Sequence, residues 1–164
     1  MNLENIGLSS KTQHNLLAIG YKKLTDIQEK VIPLILTGKD IIGQSQTGTG
    51  KTASFIIPTI EKLTVASRPQ VLVLVPTREL ALQVSEETKK LSQHTKLTTL
   101  AVYGGGSMQK QLNSFRRGVD VVVGTPGRVI DHLKRKSFQP NNLKFVILDE
   151  VDEMIDKGFL SEIE

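Results

Sequence analysis

A chain of 164 residues with 38% hydrophobic content is about one domain long and apolar enough to fold around a core, which excludes a disordered segment. It has no cysteine, so it holds neither a disulfide framework nor a thiolate metal site, and it fits a reducing, cytoplasmic compartment. The formal charge of +4 is uneven: residues 149–164 hold seven acids against one Lys, a net of −6, so residues 1–148 carry +10, which suits either a polyanionic partner or a solvated surface.

Two helical patterns open the chain, over about 9–19 and 26–37, with Gly20 placed to end the first. Short apolar runs then alternate with amphipathic stretches. The runs are DII at 40–42, VLVLV at 71–75, TTLAV at 98–102, VVV at 121–123 and FVIL at 145–148. Continuous apolar runs this short predict strands buried on both faces. Helical patterns fall over about 50–65, 78–93, 107–117 and 127–135. Strand alternating with helix predicts right-handed crossovers and a parallel sheet flanked by helices, a three-layer α/β domain. Ligands of such sheets sit outside the carboxyl ends of the strands. There is no repeat, low-complexity run or long linker, no apolar stretch near the roughly 18 residues that span a membrane, and no signal-peptide pattern.

The stretch SQTGTGKT at 45–52 follows the first apolar run and opens a helix, the setting of a phosphate-binding loop. Gly48 and Gly50 allow the backbone to turn its N–H groups inward, and those donors with the helix N-terminus form an anion nest. Lys51 can reach the outer phosphates of a nucleoside triphosphate, and the Thr52 hydroxyl can ligate Mg²⁺. Ser45 stands where the strict pattern has Gly. The bland alternative is a glycine-rich turn. A phosphate loop also needs a carboxylate to hold the metal. FVILDEVD at 145–152 delivers Asp149 and Glu150 at the end of an apolar run. Asp149 suits Mg²⁺, and Glu150 suits orienting and deprotonating the attacking water. The alternative is a helix start with Asp149 as N-cap and Asp152 at N3.

With these motifs in order the chain resembles the DEAD-box ATP-dependent RNA helicases, in their first RecA-like domain. GYKKLTDIQ at 20–28 resembles the Q motif, SQTGTGKT motif I, PTRELALQ at 76–83 motif Ia, GGG at 104–106 the glycine doublet, TPGR at 125–128 motif Ib and DEVD at 149–152 motif II. The resemblance covers essentially the whole chain, with the Q motif region over about 1–29. It implies a RecA-like P-loop NTPase fold, with ATP and Mg²⁺ as cofactors and RNA as partner. It also implies a second RecA-like domain in the parent protein and a motif III strand between the strand of motif I and that of motif II.

The resemblance implies that Gln28 selects adenine and Tyr21 packs on the base, while Ser45, Gln46, Thr47, Gly48, Thr49, Gly50, Lys51 and Thr52 hold the phosphates and metal. The amide of Gln28 can both donate and accept, as adenine's edge requires, yet Thr25 and Gln28 also form a capping box, and both roles can hold together. RNA contacts fall on Pro76, Thr77, Arg78 and Glu79, on Gly104, Gly105 and Gly106, and on Thr125, Pro126, Gly127 and Arg128. These are backbone donors and guanidiniums suited to sugar and phosphate. With 4% aromatic residues, stacking platforms are scarce, so binding should tolerate any base sequence. Three positions depart from the family pattern: Val151 for Ala in motif II, Leu24 for Pro, and Leu3 for an aromatic upstream of the Q motif. Two other readings compete: a nucleotide-gated RNA clamp or adaptor with little turnover, and an unrelated phosphate-loop ATPase such as a DNA motor.

Overall fold

The computed structural model describes residue 3, residues 6–44 and residues 48–163. The chain divides into two compact units, residues 1–64 with 87–96 and residues 65–86 with 97–164.

The first unit holds α1 (Ser10–Ala18), α2 (Asp26–Leu36) and α3 (Lys51–Lys62). Each start has a local cause. Ser9 caps α1, its Oγ accepting from the Thr12 N–H at 3.3 Å. Thr25 and Gln28 close a capping box at the head of α2. Gly50, in the left-handed region at φ 82°, starts α3. Leu16, Ile32, Ile56 and Ile57 are fully buried. Leu3 and Leu24, two of the departures from the family pattern, are buried as well.

The second unit carries the sheet: β1 (Val71–Leu74), β2 (Thr99–Val102), β3 (Val121–Gly124) and β4 (Phe145–Leu148). Its order is β2-β3-β1-β4 and every pairing is parallel. Helices α4 (Arg78–Leu91), α5 (Met108–Arg117) and α6 (Pro126–Lys134) follow β1, β2 and β3, and α7 (Val151–Asp156) and α8 (Leu160–Ile163) follow β4. Strand, crossover and parallel strand repeat as the alternation of patterns implies. The core joins Leu72, Leu74, Val102, Val122, Val129, Phe138 and Met154.

Two expectations need correcting. The run at 40–42 is not a strand: residues 39–44 carry no regular structure, and Ile42 is fully exposed. A strand exists only through pairing, and three apolar residues without a ladder partner among the described residues stay outside the sheet. Burial on both faces holds only for the central strands β1 and β3, which are buried at every position. The outer strands are half open, and Val146 on β4 is 59% exposed. The edge of β4 away from β1 has no strand partner among the described residues.

One buried carboxylate organises the amino-terminal side of this sheet. Asp120, fully buried just before β3, accepts through Oδ1 from the N–H groups of Ala66 and Ser67 at 2.9 and 3.0 Å. Its Oδ2 accepts from the Thr98 N–H and hydroxyl, both at 3.0 Å. The entries to β1, β2 and β3 are thereby held at one acceptor, and a charged acceptor makes each bond stronger than a neutral one. Asp120→Ala leaves these donors without their acceptor. It should cost roughly 3 kcal/mol in urea unfolding, the upper end for buried groups left unsatisfied. An unchanged midpoint would show that the hub is not needed.

Candidate functional site

In the first unit the structure brings Tyr21, Gln28 and Gly50 together. Gln28 is 1% exposed, and its amide is used at both ends. Its Oε1 accepts from the Thr25 N–H at 3.0 Å, and its Nε2 donates to the Tyr21 hydroxyl at 2.9 Å and to the Gly50 carbonyl at 3.0 Å. The capping and loop-holding roles are thus realised in one side chain. Both amide hydrogens are spent, and Oε1 keeps one lone pair. Burial pushes the Tyr21 phenol above its ordinary value, the hydrogen bond from Gln28 pulls the other way and the charge of Glu87 adds to the rise, so the phenol is neutral near pH 7.

Gly50 explains the glycine in the loop. Its left-handed φ is strained for any other residue, and a Cβ there would strike the Nε2 of Gln28. Lys51 and Thr52 are the first two residues of α3, and no side chain caps Gly50. These residues fit a phosphate group: a left-handed turn, a helix start, an ammonium and a hydroxyl. Ser45, Gln46 and Thr47 lie outside the described residues.

Asp149 and Glu150 belong to the second unit. The Asp149 N–H donates to the Leu74 carbonyl at 3.0 Å, which extends the β1–β4 ladder, and Asp149 is 5% exposed. The N-cap of α7 is Glu150, not Asp149, and Glu150 is left-handed at φ 54°. A non-glycine residue in that region costs on the order of 1–2 kcal/mol and such strain gathers at functional sites. The strain turns the chain between the buried Asp149 and the helix, so the two acids leave the strand end in different conformations. Among the described residues no cluster of three or more His, Cys, Asp or Glu could hold a metal alone.

The three glycine- and arginine-bearing segments converge in the same unit. β1, β3 and β2 end level with one another, since Leu74 and Val102 both stand opposite Gly124. Residues 76–79, 104–106 and 125–128 therefore leave one edge. Thr77 starts α4, its Oγ1 accepting from the Leu80 N–H at 3.1 Å, Ser107 caps α5 and Thr125 precedes Pro126 at the head of α6. Arg78 lies in the first turn of α4, where the helix dipole disfavours a cation. Its guanidinium carbon sits 5.0 Å from the centroid of the Tyr103 ring. Arg128 donates through Nη1 to the Gly106 carbonyl at 3.1 Å and to Gln111 Oε1 at 3.2 Å, and its side chain is 13% exposed. Arg128 thus braces the glycine segment, while Arg78 and Glu79 are exposed.

Sequence reading missed Tyr103, Gln111 and His132. Gln111 is the buried residue of α5 and its Nε2 donates to the Tyr103 carbonyl at 3.4 Å. His132 Nε2 lies 2.8 Å from Gln111 Oε1, and the ring meets Phe115 edge-on at 5.0 Å. None of the three stands in a motif with a mechanism of its own. The only hint was a polar residue on the inward face of a helix.

The DEAD/DEAH box helicase family model matches residues 25–164. The chain belongs to this family. It is 48% identical over 159 residues to the ATP-dependent RNA helicase CshA of Listeria monocytogenes, covering 96% of this chain and 31% of that protein. It is 47% identical to the RNA helicase CrhR of Synechocystis, covering 97% of this chain and 32% of that protein. It therefore spans about a third of the length of these relatives. A DEAD box protein from Methanococcus jannaschii superposes with a TM-score of 0.93 at 41% identity, over 99% of this chain and 45% of that one. The fold is thereby that of the RecA-like domains of DEAD-box proteins.

Burial lowers the His132 pKa, and the charges of Arg128 and Arg135 lower it further against the opposing pull of Asp131. A depressed folded value means that the unfolded chain binds the proton first. The stability His132 confers is then complete above about pH 6.5 and is lost as pH falls toward the folded value. Urea unfolding at about pH 7.5 and about pH 5.5 should show that loss, and His132→Gln should reduce it. An equal loss in the variant would place the titration elsewhere.

Proposed function

We propose that the chain is the ATP-binding and RNA-binding part of an ATP-dependent RNA helicase that locally unwinds RNA duplexes or remodels RNA–protein complexes. The observation that carries the RNA half of this reading is the shared edge: three helix starts, an exposed glycine segment and Arg78 at the level ends of three parallel strands. Such an edge offers backbone donors and cations, which suit phosphate and sugar, and no base-reading platform. The ATP half is supported by the likeness to CshA, an ATP-dependent RNA helicase.

In this reading Lys51 and the backbone of residues 45–50 take the phosphates, and Thr52 and Asp149 hold Mg²⁺. The bound ATP and Mg²⁺ supply the phosphoryl group and much of the charge neutralisation. Glu150 orients the attacking water and accepts its proton. Gln28 has an acceptor lone pair left for the amino group of adenine, where guanine presents only an acceptor. Tyr21 packs on the base. A second RecA-like domain of the parent protein supplies the cation opposite the phosphate loop that phosphoryl transfer needs.

The test is the ATPase rate of a protein carrying this chain with its second domain, measured with RNA, with DNA and with neither. Stimulation by RNA alone is expected. Glu150→Gln should keep ATP binding and lower turnover by about 10²–10⁴-fold, the usual worth of a general base. Slow turnover that RNA does not raise would favour the RNA clamp, and equal stimulation by DNA would favour a DNA motor.

For the RNA edge, Arg78→Ala and Arg128→Ala should weaken single-stranded RNA of every sequence alike. Loss of the exposed Arg78 should also lower the slope of affinity against salt by about one ion. Anisotropy titrations with oligomers of each base check this, and a loss confined to one base would contradict backbone recognition.

A further inference from the structure

Gln111 is the meeting point of the RNA edge without belonging to any of its segments. Its amide lies within hydrogen-bonding reach of Arg128, His132 and the Tyr103 carbonyl, at 3.2, 2.8 and 3.4 Å. A Cβ on Gly106 would come 3.1 Å from its Nε2 and 3.0 Å from the ring of Tyr103, so the glycine backbone is packed against both. Arg128 spends the same Nη1 on Gln111 and on the Gly106 carbonyl. Tyr103 in turn faces Arg78 across its ring. One buried amide therefore links the segments that begin after β1, β2 and β3.

His132 fixes the direction of this network. Gln111 Oε1 can only accept, so the ring nitrogen facing it carries the hydrogen. The other nitrogen, Nδ1, is buried with no hydrogen-bond partner among the described residues. A ring seated this way is neutral, and it presses a donor against the amide that orients Arg128.

We infer that Gln111, backed by the neutral His132, is a positioning residue for RNA binding, which holds Arg128 and the glycine backbone at 104–106 in the geometry that meets the sugar-phosphate chain. This rests on the reading of the edge as an RNA site. Preorganised donors bind without the cost of ordering them, and without Gln111 the guanidinium keeps, among the described residues, only the Gly106 carbonyl at 3.1 Å and the Asp131 carboxylate at 3.9 Å to hold it in place.

The test is a double-mutant cycle on the chain, read by anisotropy with single-stranded oligouridine of about 10 nucleotides. Gln111→Met keeps the length of the side chain and removes its polar atoms. It should weaken binding roughly tenfold, and less than about twofold when Arg128 is already Ala, because its effect runs through Arg128. Gln111→Glu keeps the acceptor and should stay within about threefold of the parent chain even where Gln111→Met folds poorly. Equal losses from Gln111→Met in both backgrounds would overturn the inference, as would a loss from Gln111→Glu as large as from Gln111→Met. Normal binding by Gln111→Met, with Arg128→Ala still weakened, would overturn it and leave the RNA reading standing. No effect of Arg128→Ala would sink both.

Discussion

Parallel pairing in a common register is the constraint on which the second unit is built. β1 lies at the centre between β3 and β4, and all the strands point the same way. Because parallel strands cannot be joined by tight hairpins, each must return through a helix, and each helix must start at the same edge. That edge gathers helix N-termini, whose dipoles favour anions. The opposite edge gathers strand entries, and there a single buried carboxylate, Asp120, ties three of them. Helix starts and the fastening of strand entries are thus divided between the two ends of one sheet.

Two buried glutamines do comparable work in the two units. Gln28 joins the cap of α2 to the Tyr21 hydroxyl and the Gly50 carbonyl. Gln111 joins the Tyr103 carbonyl to Arg128 and His132. A carboxylate in either place would only accept, and an ammonium would only donate. An amide does both and is buried without the desolvation cost of a charge. The same reasoning makes His132 suitable beside Arg128: a neutral ring tolerates a neighbouring guanidinium that a charged one would repel.

Two helices also begin after a left-handed residue, α3 after Gly50 and α7 after Glu150. The conformation suits glycine in the first case and strains glutamate in the second. In neither case does the N-cap residue's own side chain close the first turn. That is unlike α1 and α5, whose preceding serines close their first turns. Helix starts preceded by a left-handed residue favour a nearby anion through their dipole, and the acids and the lysine placed there accord with the proposed roles.

The helices α1 to α6, the parallel α/β class and the order of the motifs were legible in the residues because their causes are local. Ser9, Thr25 and Gly20 mark helix ends by their own side chains or lack of one. The runs at 71–75 and 121–123 read as strands buried on both faces because they are apolar throughout, and β1 and β3 are buried at every position. What remained hidden depended on neighbours distant in sequence. Whether 40–42 forms a strand is decided by the presence of a pairing partner, which a run of three apolar residues does not reveal. Whether β4 is buried or open follows from its place at the edge of the sheet. Gln111 and His132 look like ordinary helix residues until α5 and α6 are set side by side, 21 positions apart in the chain. A hydrogen bond between buried side chains is a property of the packed pair, and no spacing along the sequence encodes it.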